Sequence, residues 1–245
     1  MSDVAWTGTP VRPHGEARDN GAEQLPWGGR RERLPMKWPF AEAVEGFRAK
    51  ALANPQYDPA ATFVWGQMMA VGLIEALKAV EERFGAEGHD VVREALARTG
   101  DRIVDEMADG VEPPQDATPA ELTSLIASWI NEVCYASIES PRVEDAEHAD
   151  FDIHYCPHED VYGAFDCRVQ RYFVEGMIAA GRRHFGHGMF DVSFTSTIPS
   201  GSSVCHFDMF PKQGDANDAW NDYSARLRER ALNIVDVRTE DPKNS

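Results

Sequence analysis

The spacing of the apolar residues changes near Cys134, and this change constrains the fold more than any other feature of the sequence. Before Cys134, apolar side chains recur every three or four residues, which is typical of amphipathic helices. This spacing predicts helices over 61–84, over 90–107 and from 119 onward. After Cys134, apolar and polar residues alternate in short segments, which predicts strands. The strands are expected over 135–139, 151–156, 189–198 and 203–210.

Local signals place the helix boundaries and the order of the elements. Gly85 follows the first long helix and is expected to end it. Thr118 and Glu121 have the spacing of a capping box, with a proline between them at the first helical position. A further helix is expected over 168–183, and a last one after the fourth strand. This order predicts an α+β fold, in which N-terminal helices precede a roughly four-stranded antiparallel sheet that helices cover on one face.

We expect a single α+β domain over residues 39–236. Residues 1–38 are rich in Gly, Pro and Arg, which predicts an extended arm. Three tryptophans are unusual in a solvated segment, and they are Trp6, Trp27 and Trp38. The arm is therefore predicted to lie along its own domain or along a second copy, which would give a homo-oligomer. Residues 237–245 are predicted to form a polar tail.

The net charge and the cysteines indicate which partners and which cellular compartment to expect. The net charge is −17, from 24 Lys and Arg against 41 Asp and Glu, which argues against nucleic acid and anionic lipid as partners. No apolar run is long enough to predict a membrane span, and the first residues lack the apolar segment of a signal peptide. Four cysteines without a Cys-x-x-Cys pair predict free thiols in a cytoplasmic protein. The expected partner is a small-molecule substrate.

Alternation along the strands sorts the polar side chains between the two faces of the sheet. His154 and Cys156 are two residues apart and are expected to share a face. Cys205 is expected to point away from the face that carries His206 and Asp208. Three hydroxyl side chains of the third strand are candidate substrate-binding residues: Ser193, Thr195 and Thr197.

Two kinds of site are compatible with these residues. A cysteine nucleophile needs a histidine base and a carboxylate that orients the histidine. The predicted catalytic set is Cys156, Cys205, His154, His206 and Asp208. Cys156 is the better candidate of the two thiols, because alternation pairs it with His154. The alternative is a zinc site, with ligands from His154, Cys156 and His158 and from Asp160 or His206; we favour a site without metal or other cofactor.

Two short motifs carry a family resemblance. One is Tyr-Cys-Pro at 155–157, and the other is Gly-Ser-Ser-Val-Cys-His-Phe at 201–207, both behind an N-terminal helical region. In these motifs the chain resembles the L-2-amino-thiazoline-4-carboxylic acid hydrolase family over about residues 60–210. The resemblance assigns family positions to Cys156 and Cys205. His206 stands where the family commonly has an acidic residue.

The resemblance implies a hydrolase that opens a small heterocyclic ring of the cyclic amidine, amide or thiazoline type. The alternative is a non-catalytic small-molecule-binding or sensory module with the same fold. A pocket in which His154, Cys156 and His206 converge would favour the enzyme. A closed apolar cavity lined by Phe and Met would favour binding.

Overall fold

A computed structural model of the chain describes residues 27–186, 190–211 and 219–240. The helices are α1 (Trp27–Arg33), α2 (Ala41–Phe47), α3 (Ala60–Ala108), α4 (Pro119–Trp129), α5 (Arg168–Phe185) and α6 (Ala219–Glu240). The strands are β1 (Ile138–Val143), β2 (Ala149–Tyr155), β3 (Phe190–Ser196) and β4 (Cys205–Pro211). Short helical turns lie at Arg48–Leu52, Ile130–Cys134 and Ile198–Ser200.

The four strands form one antiparallel sheet in the order β1-β2-β4-β3. Helix α4 packs against β1, β2 and β4, and α6 packs against β3. The predicted α+β fold with an antiparallel sheet covered by helices is thus confirmed. β1 begins at Ile138, later than predicted, because a helical turn prolongs α4 and Ala136 then takes a left-handed conformation with φ 48°.

Two predicted helix boundaries, at Thr118 and at Gly85, are confirmed. The hydroxyl of Thr118 accepts a hydrogen bond from the backbone N–H of Glu121 at 3.1 Å, which caps α4. Gly85 interrupts α3 with φ 58° and ψ −137°, so two helical segments meet there at a kink. An L residue with a side chain rarely adopts that conformation.

Residues 27–38 pack against their own domain, which is one of the two positions predicted for the arm. Trp27–Arg33 form a helix, so the predicted extended conformation is wrong for these residues. Leu34 and Met36 are buried in a core cluster with Met107 and Trp129. The indole N–H of Trp129 donates a hydrogen bond to the carbonyl oxygen of Leu34 at 2.7 Å. The segment enters the core because its apolar residues cover the ends of α3 and α4.

The structure describes only part of the two chain ends. Residues 1–26, which contain Trp6, and residues 241–245 lie outside the described residues. The ring of Trp38 lies beneath the guanidinium groups of Arg31 and Arg48. Helix α6 continues to Glu240, so the predicted polar tail begins within a helix.

The N-terminal half of α3 exposes large apolar side chains. Val64 is 65% exposed, Trp65 60% and Met68 57%. By length and composition alone α3 could cross a membrane, and 17% of its most apolar window is buried. The prediction of a cytoplasmic protein without a membrane partner therefore stays a prediction.

Candidate functional site

A cavity of about 170 Å³ lies between the apolar face of the sheet and helices α4 and α5. Its wall is mostly apolar, with aromatic and methionine side chains from both layers. The sheet contributes Phe151, Ile153, Phe190, Val192, Phe207 and Met209; α4 contributes Ile126 and Ala127; α5 contributes Val174, Met177 and Ile178. Polar atoms enter the wall at only a few positions, which is the usual composition of a small-molecule site.

Three thiols line this cavity. Cys156 lies just after the end of β2, Cys167 just before α5, and Cys205 at the start of β4. The Sγ atom of Cys205 accepts a hydrogen bond from the backbone N–H of Ile198 at 3.2 Å. Burial raises the pKa of Cys156 to about 11 and that of Cys167 to about 12, and it also raises the pKa of Cys205. All three are therefore protonated thiols at neutral pH.

This protonation state predicts slow chemical modification. We expect iodoacetamide to alkylate Cys156 in the native protein slowly at about pH 7, because the thiolate is the reacting species. Between about pH 7 and about pH 9 the rate should rise about tenfold per pH unit without levelling off. Peptide mass spectrometry at several pH values measures the rate, and the same cysteine in denatured protein is the control. Rapid alkylation at neutral pH would contradict the raised pKa.

His158 is the histidine that lines the cavity beside the thiols. Its Nδ1 atom lies 3.1 Å from Oε1 of Gln67, and its ring stacks on Tyr162 with 4.8 Å between centroids. Burial lowers the pKa of His158, since the imidazolium form would lose hydration there. The ring is therefore neutral near pH 7.

The prediction that Cys156 and His154 share a face is wrong. β2 ends at Tyr155, so Cys156 lies in the following turn, where strand alternation no longer sets its direction. The Nε2 atom of His154 lies 2.8 Å from the hydroxyl oxygen of Ser140 on the polar face of the sheet. Cys156 instead lines the cavity on the apolar side, together with Cys205.

His206 and Asp208 also lie on the polar face, as predicted, and Cys205 points away from them. The Nδ1 atom of His206 is 2.7 Å from Oδ1 of Asp152, and its Nε2 atom is 3.4 Å from Oδ1 of Asp208. The hydrogen bond to Asp152 raises the pKa of His206. The two carboxylates hold this imidazole on the opposite side of the sheet from the three thiols. The predicted catalytic set is thus divided between the two faces.

The three predicted substrate-binding residues are divided in the same way. A register shift between Phe194 and Ser196 breaks the alternation of β3. Thr197 consequently lines the cavity, where it is 8% exposed. Ser193 is paired with Asp208, on the polar face, and Thr195 is exposed to solvent. Of the three, Thr197 alone is a wall residue.

The predicted zinc ligands are not brought together. His154 lies on the polar face, whereas Cys156 and His158 line the cavity. Within residues 27–186, 190–211 and 219–240, no group of three or more His, Cys, Asp or Glu side chains has the arrangement of a metal site.

The cavity also contains a charged residue that the sequence reasoning missed. Arg171 of α5 lines the wall and is 6% exposed. Its guanidinium carbon lies 3.5 Å from the ring centroid of Phe194 and 4.4 Å from that of Tyr223. The spacing along α5 indicated that Arg171 is buried. Arg171 lies three residues after Arg168 and one before Tyr172, and both of these residues are buried.

A known protein aligns with most of this chain. A protein from Archaeoglobus fulgidus, described as an uncharacterized protein, is 43% identical over 201 residues, which are 80% of this chain and 89% of the archaeal one. The chain belongs to that protein's family. No protein-family model and no solved structure matches the sequence. The name of the archaeal relative carries no activity, so the resemblance to the thiazoline hydrolases stays a prediction.

Proposed function

We propose that this protein binds a small, largely apolar molecule in the cavity between the sheet and helices α4 and α5. The cavity itself carries the proposal, because an apolar wall with few polar positions supplies the hydrophobic driving force for such a ligand. The state of the thiols supports binding over nucleophilic chemistry. Burial keeps Cys156 and Cys205 protonated, and His154 and His206 lie across the sheet from them.

Methyl NMR with two neutral probes, toluene and 1-octanol, tests this proposal. We expect both probes to shift the methyl signals of Ile153 and Val192, which line the cavity. Val174→Phe adds a ring to the wall and should weaken probe binding. Val64→Phe is the matched control, since Val64 is 65% exposed on α3 and does not line the cavity. Unchanged cavity signals at saturating probe would overturn the proposal.

A hydrolase that opens a small ring is the second candidate, and the presence of Cys156 and His158 in one wall favours it. The neutral imidazole of His158 is able to accept a proton from water. In the reaction of the thiazoline hydrolases that the sequence resembles, water adds to the amidine carbon of the ring. The ring C–S bond then opens, and a proton on sulfur completes N-carbamoyl-cysteine.

Release of a new thiol from 2-amino-thiazoline-4-carboxylate distinguishes the two candidates. A hydrolase would release thiol, and His158→Ala would abolish the release, whereas His154→Ala on the opposite face of the sheet would leave it unchanged. Small cyclic amides and thiolactones are tested for turnover as further candidate substrates. If the probes bind and none of these compounds is turned over, only the binding function remains supported.

A further inference from the structure

Two arginines are buried among the described residues, and they differ in their partners. Arg168 is 1% exposed, and its Nη2 atom donates a hydrogen bond to the carboxylate of Glu81 at 2.9 Å. Arg171 is 6% exposed, and its Nη1 atom has no hydrogen-bond partner within the described part of the chain. Arg168 thus has a counter-charge, whereas Arg171 has none among the described residues.

The described residues that line the cavity around Arg171 include no acidic group that could neutralise it. Although the chain has 41 Asp and Glu residues, the described residues that line the cavity include neither type. Among the described residues, the side chains that raise the pKa of Arg171 are the phenols of Tyr223 and Tyr172 and the thiols of Cys167 and Cys205. Burial lowers the pKa of Arg171, because it dehydrates the charge and these phenols and thiols offset that effect only in part.

Aromatic rings restrict how Arg171 can be approached. Phe194 and Tyr223 lie within cation–π range of the guanidinium, and their rings stabilise the cation without neutralising it. A planar guanidinium whose faces are near rings presents its N–H groups at its edge. A carboxylate matches that edge geometry with two parallel hydrogen bonds.

We infer that the ligand of the cavity is a carboxylic acid with an apolar body, held by its carboxylate on Arg171. This inference rests on the proposed binding function and specifies its ligand class. The apolar wall takes the body of the ligand, and the carboxylate supplies the counter-charge that the described residues of the cavity do not supply to Arg171. The protein would then bind the acid in preference to a neutral molecule of the same shape.

Calorimetric titration of octanoate against octanamide tests the ligand class at neutral pH. The two molecules share one chain and differ in the charge of the head group. We expect wild-type protein to bind octanoate roughly ten- to hundredfold more tightly than octanamide, because charge-assisted hydrogen bonds in a buried site contribute about that much affinity. Equal affinity of wild-type protein for the two molecules would overturn the inference without any variant.

Arg171→Met assigns the preference to the guanidinium. The variant should lose the preference for octanoate and keep the affinity for octanamide, whereas Arg171→Lys should keep part of the preference. Arg226→Met is the matched control, because Arg226 is exposed and approaches the same Tyr223 ring at 5.8 Å. Retention of the full octanoate preference in Arg171→Met would overturn the inference.

The thermal stability of the free protein is a second readout. Removal of an uncompensated buried charge should leave the melting temperature of Arg171→Met unchanged or raise it, while octanoate should stabilise wild-type protein more than this variant. A large fall in the melting temperature would show a structural role and count against a ligand-binding arginine. The two failures are distinguishable. If toluene, 1-octanol, octanamide and octanoate all fail to bind, the proposed function fails and the inference fails with it, whereas equal binding of octanoate and octanamide overturns the inference alone.

Discussion

Gly176→Ala is expected to destabilise the protein by at least about 3 kcal/mol, the cost of a strongly overpacked contact. Gly176 of α5 faces the backbone of α3 so closely that an added Cβ would lie 1.7 Å from the carbonyl oxygen of Ala97. The same Cβ would lie 2.7 Å from the backbone nitrogen of Asp101. Both neighbours are main-chain atoms of a helix, so the contact is relieved only if the two helices move apart.

The contact is reciprocal, which makes the expected loss larger than that of an ordinary overpacked site. A Cβ on Gly100 of α3 would lie 2.0 Å from the carbonyl oxygen of Phe173 in α5. Two glycines on facing helices thus set the distance between α3 and α5. Gly100→Ala is expected to have an effect similar to that of Gly176→Ala.

Gly72→Ala is the matched control for these substitutions. Gly72 also lies within α3, but no atom is found within 4 Å of the position of its added Cβ. Alanine favours the helix there by about 0.5–1 kcal/mol, so this variant should be slightly more stable than wild type. Urea denaturation of the three variants measures the differences. Equal stability of Gly176→Ala and Gly72→Ala would show that the helices are not in backbone contact.

Glu81→Gln is expected to destabilise the protein by about 3–5 kcal/mol, because it removes the closer and more deeply buried of the two carboxylates that pair with Arg168. The second carboxylate, Asp166, lies 3.4 Å from the Arg168 guanidinium and is 21% exposed. Glu81 is 3% exposed; its carboxylate accepts the hydrogen bond from Arg168 and lies 2.8 Å from Nδ1 of His89. Burial alone would raise the pKa of Glu81. The hydrogen bond with His89 and the charge and hydrogen bond of Arg168 outweigh that effect and hold the pKa below its ordinary value.

The lowered pKa gives this prediction a pH signature. The stabilisation by the Glu81 carboxylate is fully present above the pKa of the unfolded chain, about 4.5, and is lost as the pH falls through the lower folded value. Wild-type protein should therefore lose stability in acid over a range in which Glu81→Gln changes less. Urea denaturation at a series of pH values measures the difference.

Two further variants separate the buried pair from an ordinary ion pair. Glu75→Gln removes an exposed glutamate of the same helix, which lies 3.3 Å from Lys78, and should change the stability by less than about 0.5 kcal/mol. The double variant Glu81→Met with Arg168→Met removes both charges and should recover part of the loss. A double variant less stable than Glu81→Gln would contradict the explanation based on a buried charge that has lost its closer partner.

The order of helices and strands was predictable because it is encoded by neighbouring residues. Thr118 caps α4, Gly85 interrupts α3, and the strand pattern gives the antiparallel sheet. Alternation also correctly predicted that Cys205 points away from His206. Each of these predictions depends on residues within a few positions of one another, where backbone geometry fixes the direction of the side chains.

The candidate site was predictable only in part, and the failures share one cause. Cys156 reaches the cavity because β2 ends one residue before it, and Thr197 reaches it because β3 shifts register. The local periodicity of the sequence predicts neither the end of β2 nor the register shift in β3, because strand ends and bulges depend on the partner strand. The predicted pairing of Cys156 with His154 failed for this reason.

By itself the sequence determined the α+β class and the antiparallel strands. Of the three thiols that line the cavity, it singled out Cys156 and Cys205 but not Cys167. Tertiary structure decided which groups are buried together. Glu81 meets Arg168 across 87 positions, and Arg171 is enclosed by Phe194 of β3 and Tyr223 of α6. The charge of each group is visible in the sequence, but its burial depends on elements that pack from distant parts of the chain. That packing leaves Arg171 as a buried cation beside an apolar cavity.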